Sequence, residues 1–286
     1  MNKGKLQQYV SLMRLDKPTG IFLLLWPTYW AIYLASSGQL ESRIVILFTL
    51  GTFLMRSAGC VINDVCDSDI DKLVARTKDR PVTTGRISKK TALILFVLLS
   101  LLALMCLIPL NMLTKKLSLV AILLTLTYPL MKRFFKAPQL YLGIAFSFGI
   151  IMAYATVLNE VPWAAWVLYV ANVFWTLGYD TVYAISDKPD DVKLNIHTLA
   201  ITLGRYDVFG VMFFYTCFLG LMMVVGLVYK MTYPYWVSWI ITATLMARQY
   251  FKIKGRDRQL CYLAFLQNKW FGFIILLGVM LHYWNI

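Results

Sequence analysis

The chain has 286 residues, 59% hydrophobic and 15% charged, with a formal net charge of +14. Soluble domains carry about a quarter charged residues, and here the apolar residues fall in long uninterrupted runs, which excludes a soluble globular protein. The five cysteines (Cys60, Cys66, Cys106, Cys217, Cys261) are scattered without a C-x-x-C pair, and His197 and His282 lie far apart, which excludes a disulfide framework and a zinc cluster.

Crossing a bilayer takes about 20 mostly apolar helical residues. In chain order the predicted spans are 19–37, 43–62, 91–110, 117–131, 138–158, 162–186, 207–229, 234–247 and 269–285. The first keeps Trp26, Pro27 and Trp30 and meets no small-residue cleavage site, so it is expected to be a span and not a leader. The fourth and eighth are short, which predicts tilted, re-entrant or flank-extended segments. No Pro/Gly/Ser linker divides the chain, so one all-α integral membrane domain over 1–286, with about nine transmembrane helices, is expected.

The basic residues set the predicted orientation. With a cytoplasmic N-terminus, 23 Lys/Arg fall inside and four (Arg43, Lys115, Lys116, Lys230) outside, while Arg56 lies within a span. That asymmetry is the positive-inside rule, giving a periplasmic C-terminus and cytoplasmic loops at 63–90, 132–137, 187–206 and 248–268. The charge is thus topological, with some attraction to anionic lipid, and no nucleic-acid partner is implied.

Of 14 acidic residues, eight lie in two short windows. The first reads N63-D-V-C-D-S-D-I-D71. Asn63, Asp67 and Asp71 recur every four residues, and Asp64 lies three before Asp67, so all share one helical face. Like charges at that spacing repel unless a cation joins them. Mg²⁺ typically takes one or two carboxylates and completes its octahedron with water and substrate phosphate oxygens. The second window, D180-T-V-Y-A-I-S-D-K-P-D-D191, repeats the pattern with Asp180, Asp187 and Asp191; Pro189 is expected to break the helix near its end. The windows are four spans apart, an even offset that brings both to the cytoplasmic face. Solvated acidic helix ends are the alternative. Basic residues stand nearby: Arg76, Lys78 and Arg80 in the first inner loop, and Lys132 and Arg133 after the fourth span, although topology alone also makes inner loops basic. Arg56 lies seven residues before Asn63, ~10 Å along the same helical face. An Arg within a span costs ~2.5–3.5 kcal/mol even on the lenient insertion scale, so it requires an anionic partner or must snorkel to the surface.

Together with M13-R-L-D-K-P-T-G20, L24-L-W-P-T-Y-W30, M55-R-S-A-G-C-V-I-N-D64, R80-P-V-T-T-G85, Y128-P-L-M-K-R133 and Y179-D-T-V-Y-A184, these windows resemble the UbiA family of membrane prenyltransferases nearly end to end, and within it the bacterial branch that prenylates 4-hydroxybenzoate. The resemblance implies Mg²⁺ held by Asn63, Asp64, Asp67 and Asp71 on one side and Asp187 and Asp191 on the other, with Asp67, Asp71, Asp187 and Asp191 serving catalysis. It implies a polyprenyl diphosphate aided by Arg76, Arg80, Lys132 or Arg133, and a step of ubiquinone biosynthesis in the bacterial inner membrane. Arg56 is the expected receiver of the acceptor's carboxylate, with Arg14 next. Two departures from the family pattern stand out: Lys188-Pro189 where Arg usually follows the first Asp, and Asn195 with T198-L-A200 further on. A prenyltransferase with another acceptor would keep the acids and change the pocket, whereas a transporter or cation channel would place acids at mid-membrane.

Overall fold

The computed structural model describes residues 3–74, 77–194 and 196–284, with the side chains of 3, 129, 130 and 132–134 outside the description. Among the described residues the regular structure is entirely helical. A short α1 (Lys3–Leu12) leads into α2 (Thr19–Ala35) and α3 (Ser42–Cys66), then the single turn α4 (Ser68–Asp71), α5 (Lys89–Leu107), α6 (Met112–Phe134), α7 (Pro138–Leu158) and α8 (Trp163–Asp191). After a turn α9 (Leu199–Thr202) and a 3₁₀ turn at Gly204–Tyr206 come α10 (Asp207–Val228), α11 (Tyr233–Ile253) and α12 (Arg258–Trp284).

Each predicted span corresponds to one long helix, but several helices outrun their apolar stretch. The segments expected at 117–131 and 234–247 are complete helices of 23 and 21 residues. The predicted inner loop 248–268 reduces to residues 254–257, because α11 and α12 carry their polar ends beyond the hydrophobic part. Hydropathy marks where a helix is apolar, not where its hydrogen bonding stops. Among the described residues, five segments are long and apolar enough to cross a membrane: Ser42–Cys66, Lys89–Leu107, Pro138–Leu158, Gly204–Val228 and Arg258–Trp284. Side-chain oxygens cap α5 and α6, where Ser88 accepts from the Thr91 amide and Asn111 from the Thr114 amide.

α8 is the central post, packed by α7, α10 and α12, while α2 joins α7 to α12. Its core contact is an aromatic stack. The rings of Trp30 and Trp175 lie 5.4 Å apart, and those of Trp175 and Phe218 5.7 Å apart. The polar atoms in this layer are paired: Trp30 Nε1 donates to Gly272 O at 3.0 Å, while Trp175 Nε1 and the Tyr215 hydroxyl both donate to Asn268 Oδ1. Glycine permits the approach, since a Cβ on Gly178 would lie 2.4 Å from the Tyr215 ring. Outward, α5 presents Ile94, Leu98, Leu102 and Met105, an apolar exterior suited to lipid. α3 packs on α5 and α2, and α6 packs on α7. Among the described residues α5 and α6, though consecutive, form no extended contact, while α3 touches both α6 and α7.

Candidate active site

Between these helices lies a cavity of ≈1100 Å³, lined from α2, α3, α5, α6, α7, α8 and the first half of α12. One end carries the acidic motifs. Asn63, Asp64, Asp67 and Asp71 reach it from α3 and α4, and Asp180, Asp187 and Asp191 from α8. The predicted common face of the first motif holds although α3 ends at Cys66. The Asp67 amide donates to Asn63 O at 2.9 Å and the Asp71 amide to Asp67 O at 2.8 Å, so the helical stagger carries across the junction. Asp69 points away: 76% exposed, it meets Lys72 at 3.1 Å and Lys89 at 3.5 Å, and the Lys72 hydrogen bond holds its carboxyl below the ordinary value.

Asp64 is 1% exposed, and guanidinium groups surround it. Arg14 Nη2 contacts its two oxygens at 2.8 and 2.9 Å, while Arg80 Nη1 lies 3.0 Å from Asp64 Oδ1 and 2.7 Å from Asp71 Oδ2. Arg14, the candidate after Arg56 for the acceptor's carboxylate, thus contacts Asp64 of the acidic motif, and Arg80 bridges two of the motif's carboxylates. Arg14 adopts φ 59°, a left-handed conformation at the end of α1, and also donates to Ser11 O at 2.6 Å. Arg76, and the side chains of Lys132 and Arg133, lie outside the described residues.

On α8 the expected break at Pro189 does not occur, and the helix runs to Asp191. Proline forfeits one amide hydrogen bond, but here only in the last turn, and the Val192 amide still donates to Lys188 O at 3.1 Å. Ion pairs hold that turn from outside. Arg258 Nη2 reaches Asp190 at 2.5 Å and Asp187 at 3.7 Å. Lys188 turns from the cavity to Asp207 Oδ2 at 2.6 Å, and Arg256 meets Asp207 from the other side at 2.7 Å. The unusual Lys188-Pro189 pair thus belongs to the scaffold behind the acids. Asn195 lies outside the described residues.

Deeper in the cavity, Arg56 is half-buried beside Gly20, with its Cζ 5.7 Å from the Phe146 ring centroid. Among the described residues it makes no ion pair. The cavity wall also carries Leu23, Phe146, Phe148, Tyr183, Tyr262 and Phe265, and the cavity continues to Leu107, Leu110 and Met152 at the opposite helix ends. Val97 and Leu101 of α5 and Leu126 of α6 line the cavity and are exposed. His197, expected to be an ordinary loop residue, lines the acidic end; nothing in its sequence context signals that.

The donor set suits a hard cation. Asn63 Oδ1 is buried without a hydrogen-bond partner among the described residues, beside acceptor-only carboxylates. No three acidic, His or Cys side chains among the described residues form a complete ion cage.

The sequence profile described as the UbiA prenyltransferase family matches residues 24–277. A "4-hydroxybenzoate octaprenyltransferase" of Neisseria meningitidis is 54% identical over 97% of this chain and 94% of its own length. The apo structure of a UbiA homologue from Aeropyrum pernix superposes with a TM-score of 0.80 at 25% identity, covering 91% of this chain and 97% of that one. A UbiA homologue from Archaeoglobus fulgidus, solved bound to GPP and Mg²⁺, shares the fold at TM-score 0.71 and 18% identity, covering 94% and 99%. The two acidic motifs that meet in one cavity are therefore carried by a relative of these enzymes along almost its entire length, and the chain belongs to the UbiA prenyltransferase family.

Proposed function

We propose that this chain, acting as a single membrane domain, transfers a polyprenyl group from its diphosphate to the carbon ortho to the hydroxyl of 4-hydroxybenzoate. The observation that carries this reading is the meeting of two acidic helix ends, distant in sequence, at one end of a cavity whose other walls are largely apolar and aromatic. The acceptor follows from what the 54% identical relative is named for.

Asn63, Asp64, Asp67 and Asp71 would hold Mg²⁺ from one side, and Asp187 and Asp191 from the other. When bound, Mg²⁺ neutralises charge on the diphosphate leaving group. Arg14 and Arg80 are placed to bind diphosphate oxygens, joined by Arg76, Lys132 or Arg133. The allylic C–O bond breaks with its electron pair leaving on diphosphate, and the ring carbon donates a pair to the allylic carbon. The ring proton then departs to a carboxylate or to diphosphate, restoring aromaticity. No covalent enzyme intermediate is required. Arg56 pairs with the carboxylate of the acceptor and orients its ring, while the aromatic walls keep water from the cation. The prenyl tail lies along the apolar part of the cavity, beside the exposed apolar residues of α5 and α6.

The acidic end faces the cytoplasm of a bacterial inner membrane, with all nine long helices spanning it; the 23-to-4 distribution of basic residues supports that orientation. The test is purified protein with labelled 4-hydroxybenzoate and prenyl diphosphates of several lengths, with and without Mg²⁺. Mg²⁺-dependent label in the prenylated acid is expected. No product at any chain length, or product equally formed without divalent metal, would refute the assignment.

A further inference from the structure

We infer that Arg14 and Arg80 are counter-cations built into the first acidic motif: they occupy Asp64 and Asp71 before metal arrives, and transfer to the diphosphate once metal takes those carboxylates. The inference rests on the metal–diphosphate reading above and assigns an exchange that such a reading does not require.

Asp64 and Asp71 are both buried. Two buried carboxylates this close are costly unless compensated. The compensation comes from the chain itself, with Arg80 Nη1 shared between Asp71 at 2.7 Å and Asp64 at 3.0 Å, and Arg14 Nη2 on both oxygens of Asp64. These guanidinium groups sit on lone pairs that a metal would need. The neighbouring Asn63 Oδ1, a neutral oxygen that no guanidinium serves, is left without a partner among the described residues. Both arginines line the cavity, so a diphosphate arriving there finds them within reach. Its oxygens match the guanidinium fork, and at each stage the buried carboxylates stay compensated, first by arginine and then by metal.

The exchange has a sign that other roles lack. Metal alone must compete with two guanidinium groups, whereas metal with diphosphate gives those groups a new partner, so the two ligands favour each other's binding. Removing Arg80 should tighten metal binding alone and weaken diphosphate binding. A residue that only binds diphosphate would leave metal alone unchanged, and a structural strut would weaken both.

The experiment measures Mn²⁺ binding to purified full-length protein in nanodiscs by electron paramagnetic resonance at pH 8, with and without inorganic pyrophosphate. Arg80→Met is expected to bind Mn²⁺ alone roughly 10-fold more tightly, the competition of one charge-assisted hydrogen bond, and to bind pyrophosphate more weakly. Arg14→Met should shift both in the same directions. Unchanged or weaker Mn²⁺ binding in folded variants overturns the exchange. If the variants do not fold, wild type decides by mass mapping of phenylglyoxal labelling. Labelling of Arg14 and Arg80 should rise with Mn²⁺ alone and fall when pyrophosphate is added, and labelling indifferent to Mn²⁺ overturns the proposal. If wild type binds no Mn²⁺ even with pyrophosphate, the metal reading itself falls and takes the exchange with it.

Discussion

Among single residues, Arg56 best separates acceptor recognition from the rest of the chemistry. Its guanidinium is half-buried, lies against Phe146 and has no ion-pair partner among the described residues. A charge-assisted hydrogen bond contributes ~1.5–3 kcal/mol, or roughly 10- to 150-fold. Arg56→Ala should therefore lower kcat/KM for 4-hydroxybenzoate by about that factor while barely affecting a simple phenol. Arg56→Lys should recover part, since a point charge lacks the planar fork. Gly20 offers an independent probe, because a Cβ there would lie 2.5 Å from Arg56 Nη2. Gly20→Ala should push the guanidinium aside and erode the preference for acid over phenol, with prenyl diphosphate binding retained. Equal discrimination by wild type and both variants would show that the carboxylate is held elsewhere.

The elements show what the sequence could and could not reveal. The first acidic face was legible because α3 and α4 keep helical spacing through Asp67. The α8 motif was legible in its acids but not in its ending, since the ion pairs that hold Pro189 in the helix come from residues 207, 256 and 258, far along the chain. Arg14 belongs to a segment legible in the sequence, yet its bond to Asp64 spans 50 residues and follows no local pattern. That distant support can be tested. Asp207 is fully buried between Lys188 and Arg256, and breaking a buried pair costs ~3–5 kcal/mol, with less expected here because both cations are partly exposed. Asp207→Ala should lower the thermal stability of the detergent-solubilised protein, and Lys188→Met should do so less, since Arg256 still serves Asp207. An unchanged melting profile for Asp207→Ala would mean that the clamp holds nothing. The acids themselves should behave as one unit. Asp67→Asn and Asp187→Asn are each expected to abolish turnover in folded protein, and their combination to cost little more; independent, additive losses would indicate separate sites.

For the molecule as a whole, orientation joins the two motifs to a compartment, and the physical basis is charge. The long helices were legible because lipid demands uninterrupted apolar runs. The cavity they enclose was not, because its walls come from helices far apart in sequence, from α2 to α12. The acidic cavity end lies where α3 and α8 finish, on the side of the Lys89 start of α5. If the positive-inside rule governs this chain, that side is cytoplasmic, and the α2–α3 turn around Gln39 faces the periplasm. Lys90 and Gln39 are both exposed, and neither takes part in the Asp69 ion pairs, so a cysteine at either should leave the fold intact. With the natural cysteines replaced, Gln39→Cys should react with an impermeant maleimide in intact cells, and Lys90→Cys only after the membrane is opened. The reverse pattern would put the acids in the periplasm, away from a cytoplasmic supply of diphosphate, and would overturn the orientation while leaving the shared cavity untouched.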